Sequence, residues 1–141
     1  MLMNGPLWKQ KKIIIVDDSK SVRADLKAKF SEIHLDVIAE ASNGIEALEL
    51  IQQRRPDFVS LDIIMPEMNG FEVFHFVQSH QQDVKCFFVS CLSLEEKVKE
   101  LCERKYQAEG FFAKPLDPKL LVEWLGTLRE PVKRSPLKIA S

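Results

Sequence analysis

No CxxC pair, no excess of charge of either sign and no apolar run long enough to span a bilayer occurs in these 141 residues. Each absence removes a class of protein. Cys86, Cys91 and Cys102 are odd in number and lack metal-site spacing, which argues against a disulfide framework or a zinc site and favours a reducing, cytoplasmic setting. A formal net charge of −1 offers nucleic acid no bulk attraction, so direct nucleic-acid binding is not expected. The opening MLMNGPLWKQKK has no apolar stretch followed by a small-residue cleavage site, and neither export nor membrane insertion is expected. Internal repeats and low-complexity tracts are missing as well.

What is present is an ordinary globular composition, 45% hydrophobic and 29% charged, at a length that suits one domain. Short apolar runs alternate with segments of helical spacing, the signature of a parallel sheet. Lys12 to Asp17 (KIIIVD) reads as a central strand buried on both faces. Ser19 or a neighbouring Asp caps the next helix, where Val22, Leu26, Lys29 and Phe30 share one face, the lysine being the only interruption. Asp36 to Ala41 is the second strand, Asn43-Gly44 marks a turn, and Ile45, Leu48 and Ile51 form the next apolar stripe, closed by Pro56. Phe58 to Ile63 is the third strand; Pro66 to Gly70 reads as a loop, and Phe71, Phe74 and Val77 as the inner face of a third helix. Val84 to Ser90 is the fourth strand. A capping box of Ser93 and Glu96 opens a fourth helix, Gly110 turns the chain into the short strand FFAK, and Asp117-Pro118 starts a last helix that points Leu121, Trp124, Leu125 and Leu128 inward.

The expected fold is therefore α/β, a doubly wound sheet of five parallel strands with five helices. Residues 1–11 read as an N-terminal tail, 12–129 as the domain, and 130–141 as a C-terminal tail or linker. Such sheets bind ligands at the carboxyl ends of their strands, and that edge collects the polar residues. Asp17 and Asp18 end the first strand, Asp62 the third, Ser90 the fourth and Lys114 the fifth. Two like charges about 4 Å apart repel by about 4 kcal/mol at an effective dielectric of about 20, so three carboxylates need a cation. Oxygen-only ligands suit Mg²⁺, or Mn²⁺ in its place, rather than zinc. Singly, each residue has a plainer role: aspartate as a helix cap, serine as a strand-end hydroxyl, lysine as a solvated charge. Together they supply a nucleophile, charge compensation and a hydrogen-bond donor for phosphoryl transfer to a carboxylate.

With the motifs IIIVDDS, SLDIIMPEMNGFE, FFVSCLS and FFAKP in that order, the chain resembles the response regulator receiver domains of two-component signalling, the CheY-like family, over about Lys12 to Leu128. The resemblance implies a flavodoxin-like strand order 2-1-3-4-5 and makes Asp62 the phosphoacceptor. Asp18 would then bind Mg²⁺ directly and Asp17 largely through water, with Asp62 and the backbone carbonyl of Ile64 among the ligands. Lys114 would neutralise phosphoryl oxygens, and its bond to Pro115 commonly takes the cis form. Ser90 and the aromatic Phe111 would form the switch that changes the surface of the fourth helix, fifth strand and fifth helix. The implied partners are a sensor histidine kinase or histidine phosphotransfer protein and a downstream effector or fused output domain, with a homodimer left open.

Three positions depart from the family pattern. Phe111 replaces the common tyrosine, Ser90 the commoner threonine, and Cys91 the usual alanine, with a small buried apolar role as its plainest reading. Ile64 and Leu92 place apolar groups where many relatives are polar, which predicts slower attack of water on the acyl phosphate. The domain is expected to act by binding rather than turnover. One alternative is a receiver-like interaction module that acts without phosphorylation. Another, an aspartyl-phosphate hydrolase, lacks its usual DxD pattern and a second general acid.

Overall fold

The computed structural model describes residues 6–81, 83–91 and 110–128. Five strands, β1 (Lys12–Val16), β2 (Asp36–Ala41), β3 (Phe58–Leu61), β4 (Lys85–Ser90) and β5 (Phe111–Ala113), form one sheet in the order β2-β1-β3-β4-β5. Every neighbouring pair is parallel. Four helices are described: α1 (Lys20–Glu32), α2 (Gly44–Arg54), α3 (Gly70–His80) and α4 (Pro118–Thr127). The expected helix opening at Ser93 lies outside the described residues. Winding reverses between β1 and β3, since β2 is added on one side of β1 and all later strands on the other. At such a switch point the loops leaving the two strands diverge and leave a crevice.

Alternation along the strands explains why both faces are covered. Ile14, Val16, Val59, Leu61 and Phe88 pack with Ala47, Ile51, Val73, Phe74 and Val77 on one face. Ile13, Ile15, Phe87, Val89 and Phe112 pack with Leu26, Phe30, Leu121 and Leu125 on the other. Phe87 centres the second layer, meeting Phe30, Phe112 and Trp124 edge-on at centroid distances of 6.0, 5.6 and 5.4 Å. Edge-to-face contacts set the positive rim of one ring against the negative face of the next.

Local structure departs from the sequence reading in several places. Asn43-Gly44 is a helix start rather than a free turn. Asn43 caps α2 by accepting the Glu46 N–H at 2.8 Å, and a Cβ on Gly44 would lie 2.5 Å from the Met68 carbonyl oxygen. Ile45 points outward, because the buried face of α2 runs through Gly44, Ala47 and Ile51. The stretch read as a loop before α3 ends in a capping box: Asn69 accepts the Glu72 N–H, and the Glu72 carboxylate accepts the Asn69 N–H. Ser19 and Asp117 cap α1 and α4 as expected. Pro6 to Lys11, within the expected tail, lie against the domain. The Trp8 indole N–H donates to the Ile33 carbonyl at 3.1 Å, the Gln10 N–H donates to the His34 carbonyl at 2.7 Å, and the Trp8 ring packs on the second core layer. Among the described residues no helix is long and apolar enough to cross a membrane.

Candidate functional site

Each polar residue picked out at the strand ends sits where a buried strand stops. Parallel ladders carry the backbone one residue further: the Asp17 N–H donates to the Ala41 carbonyl at 3.0 Å, Asp62 to Val16 at 2.9 Å and Lys114 to Ser90 at 2.7 Å. The sheet itself thus sets where these side chains begin. Asp17, Asp18 and Asp62 each offer a carboxylate oxygen, all lying within 4.8 Å of one another. The Lys114 ammonium lies 2.7 Å from Asp17 Oδ2 and 3.3 Å from Asp62 Oδ1. Asp17 is 1% exposed, Asp62 7% and Ser90 2%, whereas Asp18 is open to solvent. Three carboxylates against one ammonium leave two negative charges at this edge of the sheet.

Burial and this imbalance together bear on which groups hold a proton. Burial, followed by the negative charge of Asp17, pushes the Asp62 carboxyl up to about 6, against the pull of Lys114 and the Ile63 N–H, which donates to Asp62 Oδ1 at 2.9 Å. Burial also works against the Lys114 ammonium, but Asp17 and Asp62 outweigh it and hold its pKa above the ordinary lysine value. A divalent cation fits this donor set: every donor is a hard carboxylate oxygen, one side is open at Asp18, and the excess charge is two.

The remaining residues frame this cluster. Ser90 is the last residue of β4, paired with Ala113, and Phe111 stands opposite Phe88 on the same ladder, half-buried against the first core layer. The Lys114–Pro115 peptide bond is cis. Ile64 is 62% exposed, so its side chain projects into solvent beyond Asp62. Cys91 is exposed beside Ser90, unlike a small buried apolar residue, whereas burial holds Cys86 up to about 12. Leu92 lies outside the described residues. One residue near the cluster went unremarked in the sequence. From the first turns of α1, Arg23 donates through Nη1 to the Asp17 carbonyl at 2.7 Å and through Nε to Glu40 at 3.1 Å. Its only sequence signal is a basic residue one turn past Asp17-Asp18 facing an acidic one in the second strand.

Comparison with known proteins agrees with this geometry. Residues 13–125 match the family described as the response regulator receiver domain. The chain is 35% identical over 115 residues to the chemotaxis protein CheY of Thermotoga maritima, covering 82% of this chain and 94% of that one. Over 49 residues it is 43% identical to an uncharacterized response regulatory protein of Yersinia pestis, 34% of this chain but only 21% of that one. Among solved structures it resembles the REC domain of AraT, a response regulator from Geobacillus stearothermophilus, with a TM-score of 0.71 at 26% identity, covering 82% and 90% of the two chains. It also resembles the CheX-CheY-BeF3-Mg complex of Borrelia burgdorferi, with a TM-score of 0.69 at 28% identity, covering 80% and 84%. The strand order, the acidic crevice at the switch point and a family match over most of the chain lead to one conclusion: this chain belongs to the response regulator receiver domain family.

Proposed function

We propose that the chain is the phosphoacceptor receiver of a two-component phosphorelay, taking a phosphoryl group on Asp62 from the phosphohistidine of a sensor histidine kinase or histidine phosphotransfer protein. The observation that carries this reading is the placement of Asp62, nearly buried at a switch point, with two further carboxylates and one ammonium within reach. An Asp62 oxygen attacks phosphorus, the P–N bond breaks, and its electron pair leaves on the imidazole nitrogen, which takes up a proton. The product is an acyl phosphate. Lys114 meets the phosphoryl oxygens as they arrive, and the Ser90 hydroxyl donates to one of them. Asp17, Asp18, Asp62 and the Ile64 carbonyl would hold Mg²⁺, or Mn²⁺, which when bound supplies the positive charge the phosphoryl oxygens require. Phe111 then repacks with Ser90, altering the surface formed by the helix expected to open at Ser93, β5 and α4, which an effector or fused output domain reads. The domain spans residues 12–129, with 130–141 as a tail or linker, and works in the cytoplasm as a binding switch.

Titration with beryllofluoride and Mg²⁺, followed through backbone amide resonances, tests the reading. We expect shifts at Asp62, Ser90 and Phe111 that need both reagents and vanish in Asp62→Asn. Shifts that persist in Asp62→Asn, or a wild-type protein that does not respond, would contradict it.

A further inference from the structure

The cation site depends on a peptide plane as well as on carboxylates. Asp17 is fixed at every polar group: Oδ1 accepts the Ser19 N–H at 2.9 Å, Oδ2 pairs with Lys114, the N–H bonds to Ala41, and the carbonyl accepts Arg23 Nη1. Asp18 is different. Among the described residues its exposed carboxylate has no hydrogen-bond or ion-pair partner, so the only protein restraint on where it can reach is the backbone it starts from. The backbone in question is the Asp17–Asp18 peptide, whose carbonyl oxygen is the atom held by Arg23 at 2.7 Å. Rotating that peptide would swing Asp18 away from Asp17 and Asp62. Arg23 is itself immobilised, 16% exposed in the side chain and anchored by Glu40 Oε1 on β2 at 3.1 Å.

We propose that Arg23 is a positioning residue for the cation site, locking the Asp17–Asp18 peptide so that both carboxylates face Asp62, with Glu40 as its anchor on the neighbouring strand. The proposal rests on the reading of Asp17 and Asp18 as Mg²⁺ ligands. A plain alternative is a surface ion pair tying α1 to β2, which contributes little to stability and nothing to the metal. The sign of the effect on Mg²⁺ separates the two. Removing a positive charge near a cation site should strengthen cation binding if charge were all that mattered. Loss of a positioning group should weaken it, because partners that orient metal ligands typically contribute about 10- to 100-fold in affinity. Arginine suits the task because one rigid fork reaches a carbonyl and a carboxylate together.

Calorimetric titration of Mg²⁺ into the full chain, without phosphodonor, tests this. In Arg23→Met we expect the Mg²⁺ dissociation constant to rise about tenfold or more while the protein still melts cooperatively. Arg23→Lys should recover little of the loss, since an ammonium restores charge but not the fork. Lys27→Met, which removes a charge of the same sign 3.8 Å from the same Glu40, should bind Mg²⁺ as tightly as wild type or more so. Equal or tighter binding in folded Arg23→Met overturns the proposal, as does a Lys27→Met loss of the same size. If Arg23→Met does not fold, Arg23→Lys carries the test, since it keeps the charge and loses only the fork: weaker Mg²⁺ binding supports the proposal, and binding equal to wild type overturns it. A wild-type chain that binds no Mg²⁺ would instead remove the metal-site reading beneath the proposal.

Discussion

The two ends of the sheet use aspartate in opposite ways. At the amino end Asp57 is satisfied by backbone: its carboxylate accepts the Lys12 N–H at 2.8 Å, its own N–H donates to the Lys12 carbonyl at 2.9 Å, and its carbonyl accepts the Lys85 N–H at 2.9 Å. Trp8 covers part of that end and bonds to Ile33. At the carboxyl end three carboxylates gather around one ammonium that pairs with only Asp17 and Asp62, and burial with the Asp17 charge pushes Asp62 up to about 6. Polar groups at the amino end are neutralised within the fold and stabilise it. Those at the carboxyl end are left short of positive charge, a cost that a bound cation can relieve.

Changes at the two ends should therefore differ in sign. The largest effect is expected at the amino end: Trp8→Ala should lower stability by about 3 kcal/mol, since it removes a half-buried indole and its hydrogen bond. Urea unfolding with and without Mg²⁺ should give the same loss. Next, Mg²⁺ at about 100 times its dissociation constant should raise the stability of the wild-type chain by about 2.7 kcal/mol and that of Asp62→Asn by less. An increment that ignores Asp62 would dissolve the contrast between the ends.

Smaller, and opposite to the usual effect of mutation, Asp62→Asn should stabilise the metal-free protein at pH 7 by about 1 to 2 kcal/mol, a shift of this size being discounted for solvent screening. The folded carboxyl keeps a proton up to about pH 6 that the unfolded chain loses near pH 3.8. Wild-type stability should accordingly fall as pH rises from about 4 to 6, and chemical unfolding across that window should show no such fall in Asp62→Asn. Smallest, Asp57→Ala should cost about 1 kcal/mol by leaving the Lys12 N–H to water, equally with and without Mg²⁺.

How much of this could be read in advance depended on the range of the interactions. Strands such as Ile13 to Val16 announce themselves because burial on both faces leaves an unbroken apolar run, and their order in the chain brings Asp17, Asp62, Ser90 and Lys114 to one edge. Contacts between distant segments left no such trace. Asn43-Gly44 suits a turn or a cap equally, and the nearness of Met68 decides for Gly44 at the head of α2. Ile45 fits a helical stripe, yet the phase of the helix follows Ala47 and Ile51. Trp8 has no periodic partners, and its docking depends on the carbonyl at the end of α1. Arg23 reaches Asp17 and Glu40 only because β2 lies beside β1.

The central claim is that Asp62, of all the carboxylates gathered at the carboxyl end, takes the phosphoryl group. Its most direct test is to treat the chain with acetyl phosphate and Mg²⁺, reduce the acyl phosphate with borohydride, and locate the resulting alcohol by peptide mass. The modification is predicted at position 62 alone and only when Mg²⁺ is present. A label on Asp17, Asp18 or Asp57, or a chain that takes none, would contradict the account.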